Sequence, residues 1–265
     1  MTRPALRFVH ANSFPTGTYR IFLDEMRQHY DVSAMEMHAH DPQYPITVGW
    51  HKLADELIAE MTTHQKEPVI LVGHSMGGAL SLMAARARPD MVRAVILLDS
   101  PIVGGWRAWL VRHFRNSKLL DRVSPARLSE QRRFLWPSAA AAYEHFAGKE
   151  KFAAWAPGVL QDYIEHGMIA HEQGVALRFT REAETAIYRA LPDHLGRLAR
   201  KPFAMPIGFI GGTDSEECRQ AGLDATRRLT GRHFRQIPGG HLFPMEAPEQ
   251  GAAAVHAMIE DMLSA

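Results

Sequence analysis

The sequence holds a single cysteine, Cys218, among 265 residues, so no internal disulfide can form and a buried core must carry stability. A chain of this length buries about three quarters of the surface its unfolded form exposes, so it needs no staple. A lone thiol fits a reducing compartment, and a cytoplasmic location is expected. No apolar run approaches the roughly 18 residues a membrane-spanning helix needs, so membrane insertion is not expected. The opening stretch MTRPALRFVHANSFP has no long apolar segment and no small-residue cleavage site, which argues against a secretory signal. An excess of one charge is missing too: 30 Lys and Arg oppose 29 Asp and Glu, for a net charge of +1. A dedicated nucleic-acid binder normally carries a strong basic excess, so that partner is excluded. Internal repeats and low-complexity linkers are also absent.

What the chain does contain is alternation. Six short runs rich in β-formers, ALRFVHA (5 to 11), VSAMEMHA (32 to 39), PVILVGH (68 to 74), AVILLDS (94 to 100), MPIGFIGG (205 to 212) and HFRQIPG (233 to 239), end in small or turn-forming residues. Segments of helical spacing lie between most of them. Strand alternating with helix predicts an α/β fold with a mainly parallel sheet of about six strands covered by helices on both faces. The alternation breaks between about Gly104 and Gly196, where stretches such as SAAAAYEHFAGKEKFAAW favour helix. We therefore expect a core of residues 1–103 and 197–265, with 104–196 inserted as a helical cap, in a single structural unit.

Ser75 stands between Gly73 and Gly77 where the apolar strand PVILVGH meets a small-residue helix. A serine in the pattern G-x-S-x-G at such a junction sits on a sharp turn that exposes its hydroxyl, and small residues two before and two after it let strand and helix approach. A serine hydroxyl is a weak nucleophile until a base takes its proton, and the base needs an orienting carboxylate. Both follow downstream: Asp214 just beyond the strand that ends near Gly212, and His241 beyond the last strand in QIPGGHLFPMEAPEQ.

With FVHANSFPTGTY, GHSMGG, LLDSP, GGTD and GGHLFPMEAPE in this order, nearly the whole chain resembles the α/β-hydrolase fold family of serine hydrolases. The resemblance implies Ser75 as nucleophile, His241 as general base and then acid, and Asp214 as the orienting carboxylate, with Asp99 in LLDSP as the alternative acid. It implies an oxyanion hole made by the amide of Met76 and a second amide from the loop after the first strand. Relatives often have His-Gly there; this chain has His10-Ala11-Asn12-Ser13-Phe14, so Asn12 is assigned, with Phe14 as its rival. The antiparallel hairpin with which many members begin is expected to be missing.

Phe14, Trp106, Trp136 and Leu242 are expected to line the substrate pocket. HAHD (38 to 41) is similar to the start of a metal-binding His-x-His-x-Asp-His run, but the residue that follows is Pro42, not a histidine, and no companion ligand cluster is visible, so no metal is expected and no cofactor. Between Val103 and Trp136 eight basic residues (Arg107, Arg112, Arg115, Lys118, Arg122, Arg127, Arg132, Arg133) face Asp121 and Glu130. That excess reads as a solvated helical face, or as a field steering anionic substrates. The expected activity is hydrolysis of a small or medium carboxylic ester through an acyl-enzyme. A thioester or the C–C bond of a vinylogous diketone are alternatives on the same residues, and a hydrolase-like ligand-binding receptor is the alternative from another class. The expected partner is a small-molecule substrate, and a homodimer is possible.

Overall fold

A computed structural model describes residues 3–114 and 125–264. Arg115, Lys118, Asp121 and Arg122 of the basic stretch lie outside them. Six strands, β1 (Ala5–Val9), β2 (Asp31–Ala34), β3 (Val69–His74), β4 (Val92–Leu98), β8 (Ile207–Gly212) and β9 (Phe234–Ile237), form one sheet in the order β2-β1-β3-β4-β8-β9. Every neighbouring pair is parallel. The fold is thus an α/β hydrolase fold, and each strand foreseen from its apolar run is present.

The inner strands read as unbroken apolar runs because both faces are covered. On β3, Ile70 and Val72 join the core beneath α1 (Arg20–Arg27) and the last helix, Pro248–Leu263, while Val69 and Leu71 join the core beneath α2 (His51–His64) and α3 (Met76–Ala87). Each such side chain, fully buried, contributes about 1.5–3 kcal/mol relative to exposure. Helix α3 is buried along most of its length, which its run of glycine and alanine permits. Pro89 follows its end and cannot continue it.

Residues between β4 and β8 hold α4 (Gly105–Phe114), the helices Pro125–Gln131, Ala139–Ala147, Val159–Gly167 and Arg181–Arg189, and shorter turns. They also hold a small antiparallel sheet, β5 (Leu135–Trp136), β6 (Met168–His171) and β7 (Gly174–Leu177), in the order β5-β7-β6. The sequence predicts a mainly helical segment without a buried strand, and this small sheet is an addition to it. The strands are two to four residues long and largely exposed on β6, too short and too polar on one side to leave an apolar signature. Ser138 and Thr180 start their helices by accepting the amides of Ala141 and Ala183. Phe146, Phe152, Trp155 and Tyr163 of this segment pack into the same cluster as Phe8 and Tyr19 of the sheet side. Among the described residues no helix is long and apolar enough to cross a membrane.

Candidate active site

The C-terminal ends of β3, β4, β8 and β9 converge on one point, where open α/β sheets place their ligands. Ser75 links β3 to α3 with φ 53° and ψ −114°, a backbone region that costs a non-glycine residue about 1–3 kcal/mol unless the surroundings enforce it. They do so through hydrogen bonds: Ser75 N donates to Leu98 O at 2.9 Å, and its carbonyl accepts from Gly78 N at 3.1 Å and Ser100 Oγ at 2.7 Å. The flanking glycines are steric necessities. A Cβ on Gly73 would lie 2.3 Å from Gly77 O, and one on Gly77 would lie 2.0 Å from Val9 O.

His241 lies in the loop after β9. Its Nε2 is 3.0 Å from Ser75 Oγ and its Nδ1 is 2.7 Å from Asp99 Oδ1. Asp99 follows β4 directly, at φ 38° and fully buried. Besides His241 Nδ1, its Oδ1 accepts from Ser215 Oγ at 2.6 Å and Cys218 Sγ at 3.4 Å, and its Oδ2 accepts from Gly212 N at 2.7 Å. Burial alone would raise this carboxyl's pKa, but the hydrogen bond and charge of His241, with the Ser215 and Gly212 bonds, outweigh it and hold the group below its ordinary value.

The carboxylate facing His241 is therefore that of Asp99, and the expectation of Asp214 is corrected. Asp214 is exposed; its amide donates to Gly239 O at 3.0 Å, and among the described residues its Oδ2 accepts only a long 3.4 Å bond from Thr213 Oγ1. The turn after β8 serves the site with its backbone, through Gly212 N, and not with the aspartate two residues further on. Register explains why Asp99 reaches the histidine. His74 pairs with Leu98, so Ser75 and Asp99 each stand one residue beyond adjacent parallel strands.

Behind Ser75 runs a buried hydrogen-bonded line. Ala11 N donates to Tyr19 Oη at 3.2 Å, Tyr19 Oη meets His74 Nδ1 at 2.8 Å, and His74 Nε2 meets His241 O at 2.8 Å. Burial first, then the neighbouring His241, lowers the pKa of His74 to about 3, so the ring is neutral. Because its Nε2 faces a carbonyl it carries its proton there, and Tyr19 donates to Nδ1.

Met76 opens α3, so its amide has no intrahelical acceptor. In the loop after β1, the Phe14 amide donates to Ala11 O at 3.3 Å and is thereby engaged. The Asn12 amide has no acceptor among the described residues, and the Asn12 side chain donates to Glu184 O at 3.3 Å.

Ser75, Met76, Asp99 and His241 open onto a cavity of about 140 Å³ that is also lined by Trp50, Val103, Leu191, Pro192, Leu195 and Glu217. None of the four side chains expected to line it does so. Trp136 is 1% exposed and packs on Phe146; Leu242 is 2% exposed in the core. Trp106 stands 63% exposed on α4, and Phe14 packs on Trp155 and Tyr163. Aromatic composition shows that a core exists but not which way a ring faces, and no local pattern marked Trp50 or Leu195. A larger cavity of about 620 Å³, lined by Ile46, Val48, Glu130, Arg181, Thr185 and Arg189 among others, contains none of the residues that meet at Ser75.

His38 and His40 of the HAHD stretch are built into the scaffold. His38 Nδ1 meets Glu56 Oε2 at 3.1 Å, its amide donates to His10 Nε2 at 2.8 Å, and His40 Nε2 accepts from Thr180 N at 3.1 Å. Among the described residues the one group of ligand atoms close enough to share an ion is Asp99, Glu217 and His241, within 4.8 Å. Within that group Asp99 and His241 already bond each other. In the basic stretch, Arg132 pairs with Glu184 at 2.6 Å and Arg107 lies over the Trp106 ring.

With strand order, elbow and facing side chains established, the family comparison agrees: the chain belongs to the alpha/beta hydrolase family, whose model matches residues 8–255. It is 31% identical over 137 residues to the monoglyceride lipase of Rattus norvegicus, covering 47% of this chain and 44% of that protein. Its 2-(acetamidomethylene)succinate hydrolase relative from Mesorhizobium japonicum is 26% identical over 36% of this chain and 35% of that one. The chain thus spans less than half the length of these curated relatives. Among solved structures, an E-2-(acetamidomethylene)succinate hydrolase superposes with TM-score 0.77 at 20% identity, covering 100% of this chain and 92% of that one. A thioesterase domain from the curacin biosynthetic pathway superposes with TM-score 0.73 at 15% identity, covering 96% and 91%.

Proposed function

We propose that this protein is a serine hydrolase that cleaves a small carboxylic ester, with Ser75 as nucleophile, His241 as general base and acid, and Asp99 as the carboxylate that orients it. The observation that carries this reading is the aligned pair of contacts, Ser75 Oγ to His241 Nε2 at 3.0 Å and His241 Nδ1 to Asp99 Oδ1 at 2.7 Å, at the floor of a cavity. Because Asp99 accepts from Nδ1–H, Nε2 is left as the acceptor that takes the serine proton. Ser75 attacks the carbonyl carbon, and the oxyanion is received by the amides of Met76 and Asn12. His241 then passes its proton to the leaving alcohol. Water, deprotonated by the same Nε2, hydrolyses the acyl-enzyme. Loss of one oxyanion donor typically costs about 100- to 1000-fold in kcat.

The cavity, about 140 Å³, is below the roughly 300–1,000 Å³ of pockets that enclose drug-sized ligands, which favours a short acyl group. The segment 104–196 acts as a cap in this reading, because Leu191, Pro192 and Leu195 supply one wall of the cavity. Thioester or C–C cleavage would use the same attacking group with a different leaving group, and a substrate panel separates them. Ser75→Ala is expected to abolish both hydrolysis of p-nitrophenyl butyrate and labelling by a fluorophosphonate while leaving the melting temperature near that of the parent. Full labelling of the alanine variant would refute the assignment.

A further inference from the structure

We propose that Glu217 makes the cavity beside Ser75 select neutral and cationic substrates against carboxylate-bearing ones of the same size. This rests on the serine-hydrolase reading above and names the substrate class of that site.

The walls of the cavity are mostly apolar, and among the described residues its lining contains no lysine or arginine. Two carboxylates line it, and they differ in how their charge is met. Asp99 is enclosed by four donors and committed to His241. Glu217 accepts no hydrogen bond from the described residues. Among the described residues the nearest basic atom to it is His241 Nδ1, 3.8 Å from its Oε2, whose proton already goes to Asp99. The Glu217 side chain is 46% exposed, and its carboxylate lies close enough to act on anything seated against Ser75.

Among the described residues, two arginines of the basic stretch are directed elsewhere. Arg132 is paired with Glu184, and the Arg107 guanidinium lies against Gly222, beyond the end of the helix Glu216–Ala221 that carries Glu217. Tyr188 on the facing helix Arg181–Arg189 feels the same negative field. Its hydroxyl is pushed up by burial first and then by the charges of Glu184 and Glu217. Cys218 is pushed up to about 12 by burial and then by the charge of Asp99.

A like charge about 6 Å away, at an effective dielectric of about 40, is disfavoured by about tenfold, and an opposite charge is favoured by a similar factor. Salt weakens both, since exposed charges are screened beyond roughly 8 Å at physiological ionic strength.

The experiment compares three p-nitrophenyl esters of similar length: pentanoate, the glutarate half-ester and 4-(trimethylammonio)butanoate. It also measures binding of the three matching carboxamides by NMR titration, which needs no turnover. For the parent protein, kcat/KM and affinity are expected to fall about tenfold from the neutral to the anionic member, and less so at high salt. Glu217→Gln should bring the anionic and neutral members to within about twofold, and Glu217→Lys should reverse the order of anion and cation. Equal discrimination in parent and both variants, with the pentanoate still hydrolysed, overturns the proposal and leaves the hydrolase reading intact. The expected order in the binding titration, together with no hydrolysis of any ester, supports charge selection and refutes the hydrolase reading.

Discussion

Replacing Asp99 by asparagine tests the site most sharply, because the amide cannot satisfy both sides of the pocket that holds it. Oδ2 accepts the Gly212 amide at 2.7 Å, and Oδ1 accepts His241 Nδ1 at 2.7 Å and Ser215 Oγ at 2.6 Å. If the new NH2 takes the Oδ2 place, two buried donors face each other, at a cost of about 1–3 kcal/mol. If it takes the Oδ1 place, the Ser215 hydroxyl can rotate to accept, but the imidazole must then accept at Nδ1 and carry its proton on Nε2. That tautomer donates to Ser75 and cannot take its proton. The second orientation costs less in stability, so a folded protein with the wrong tautomer is expected and kcat should fall about 10,000-fold, or about 5 kcal/mol of transition-state stabilisation. Asp214→Asn, at the exposed site, should change kcat less than twofold. Steady-state hydrolysis of p-nitrophenyl butyrate, with calorimetric melting of both variants, decides the matter. An Asp99→Asn protein keeping more than a tenth of the activity, beside an inactive Asp214→Asn protein, would refute the reasoning.

Acid sensitivity is expected to begin well above the carboxylate range. Burial first, and neighbouring histidines second, lower the pKa of His10 and His74 from 6.5 to about 3. Between those values the unfolded chain binds more protons than the folded one, so stability falls as pH drops from 6.5, by about 1.4 kcal/mol per pH unit for each histidine. Urea midpoints that stay flat between pH 7 and pH 5 would contradict this. Asp99, whose pKa is lowered from 3.8, contributes stability above that value that is lost only at lower pH, outside this window. Gly77→Ala forces a Cβ to within 2.0 Å of Val9 O; overpacking of this kind costs about 1–3 kcal/mol, and displacement of the Met76 amide should lower kcat further. Circular-dichroism melting and kcat on the same preparation measure the two effects, and an alanine variant with parental values for both would show that the elbow is not tight.

Much of this was legible in the chain. The apolar runs around Ile70, Ile96 and Ile210 determine buried parallel strands, because only a strand covered on both faces dispenses with polar alternation. Gly73 and Gly77 determine the elbow around Ser75, because a Cβ at either position would collide with nearby backbone. His241 followed from its place after the last strand. Where the chain alone led astray was the carboxylate. Asp99 and Asp214 both follow a strand, and the turn beginning at Gly211, which resembles the commoner family arrangement, favoured Asp214. The order β3-β4-β8, the register pairing His74 with Leu98, and the Gly212 amide aimed at Asp99 decide between them. These are long-range pairings, set by how the sheet is wound and invisible to spacing. The cavity wall was decided in the same way. Trp50, Leu195 and Glu217 lie far apart in sequence and become neighbours only when the segment before β8 folds back over the strand ends.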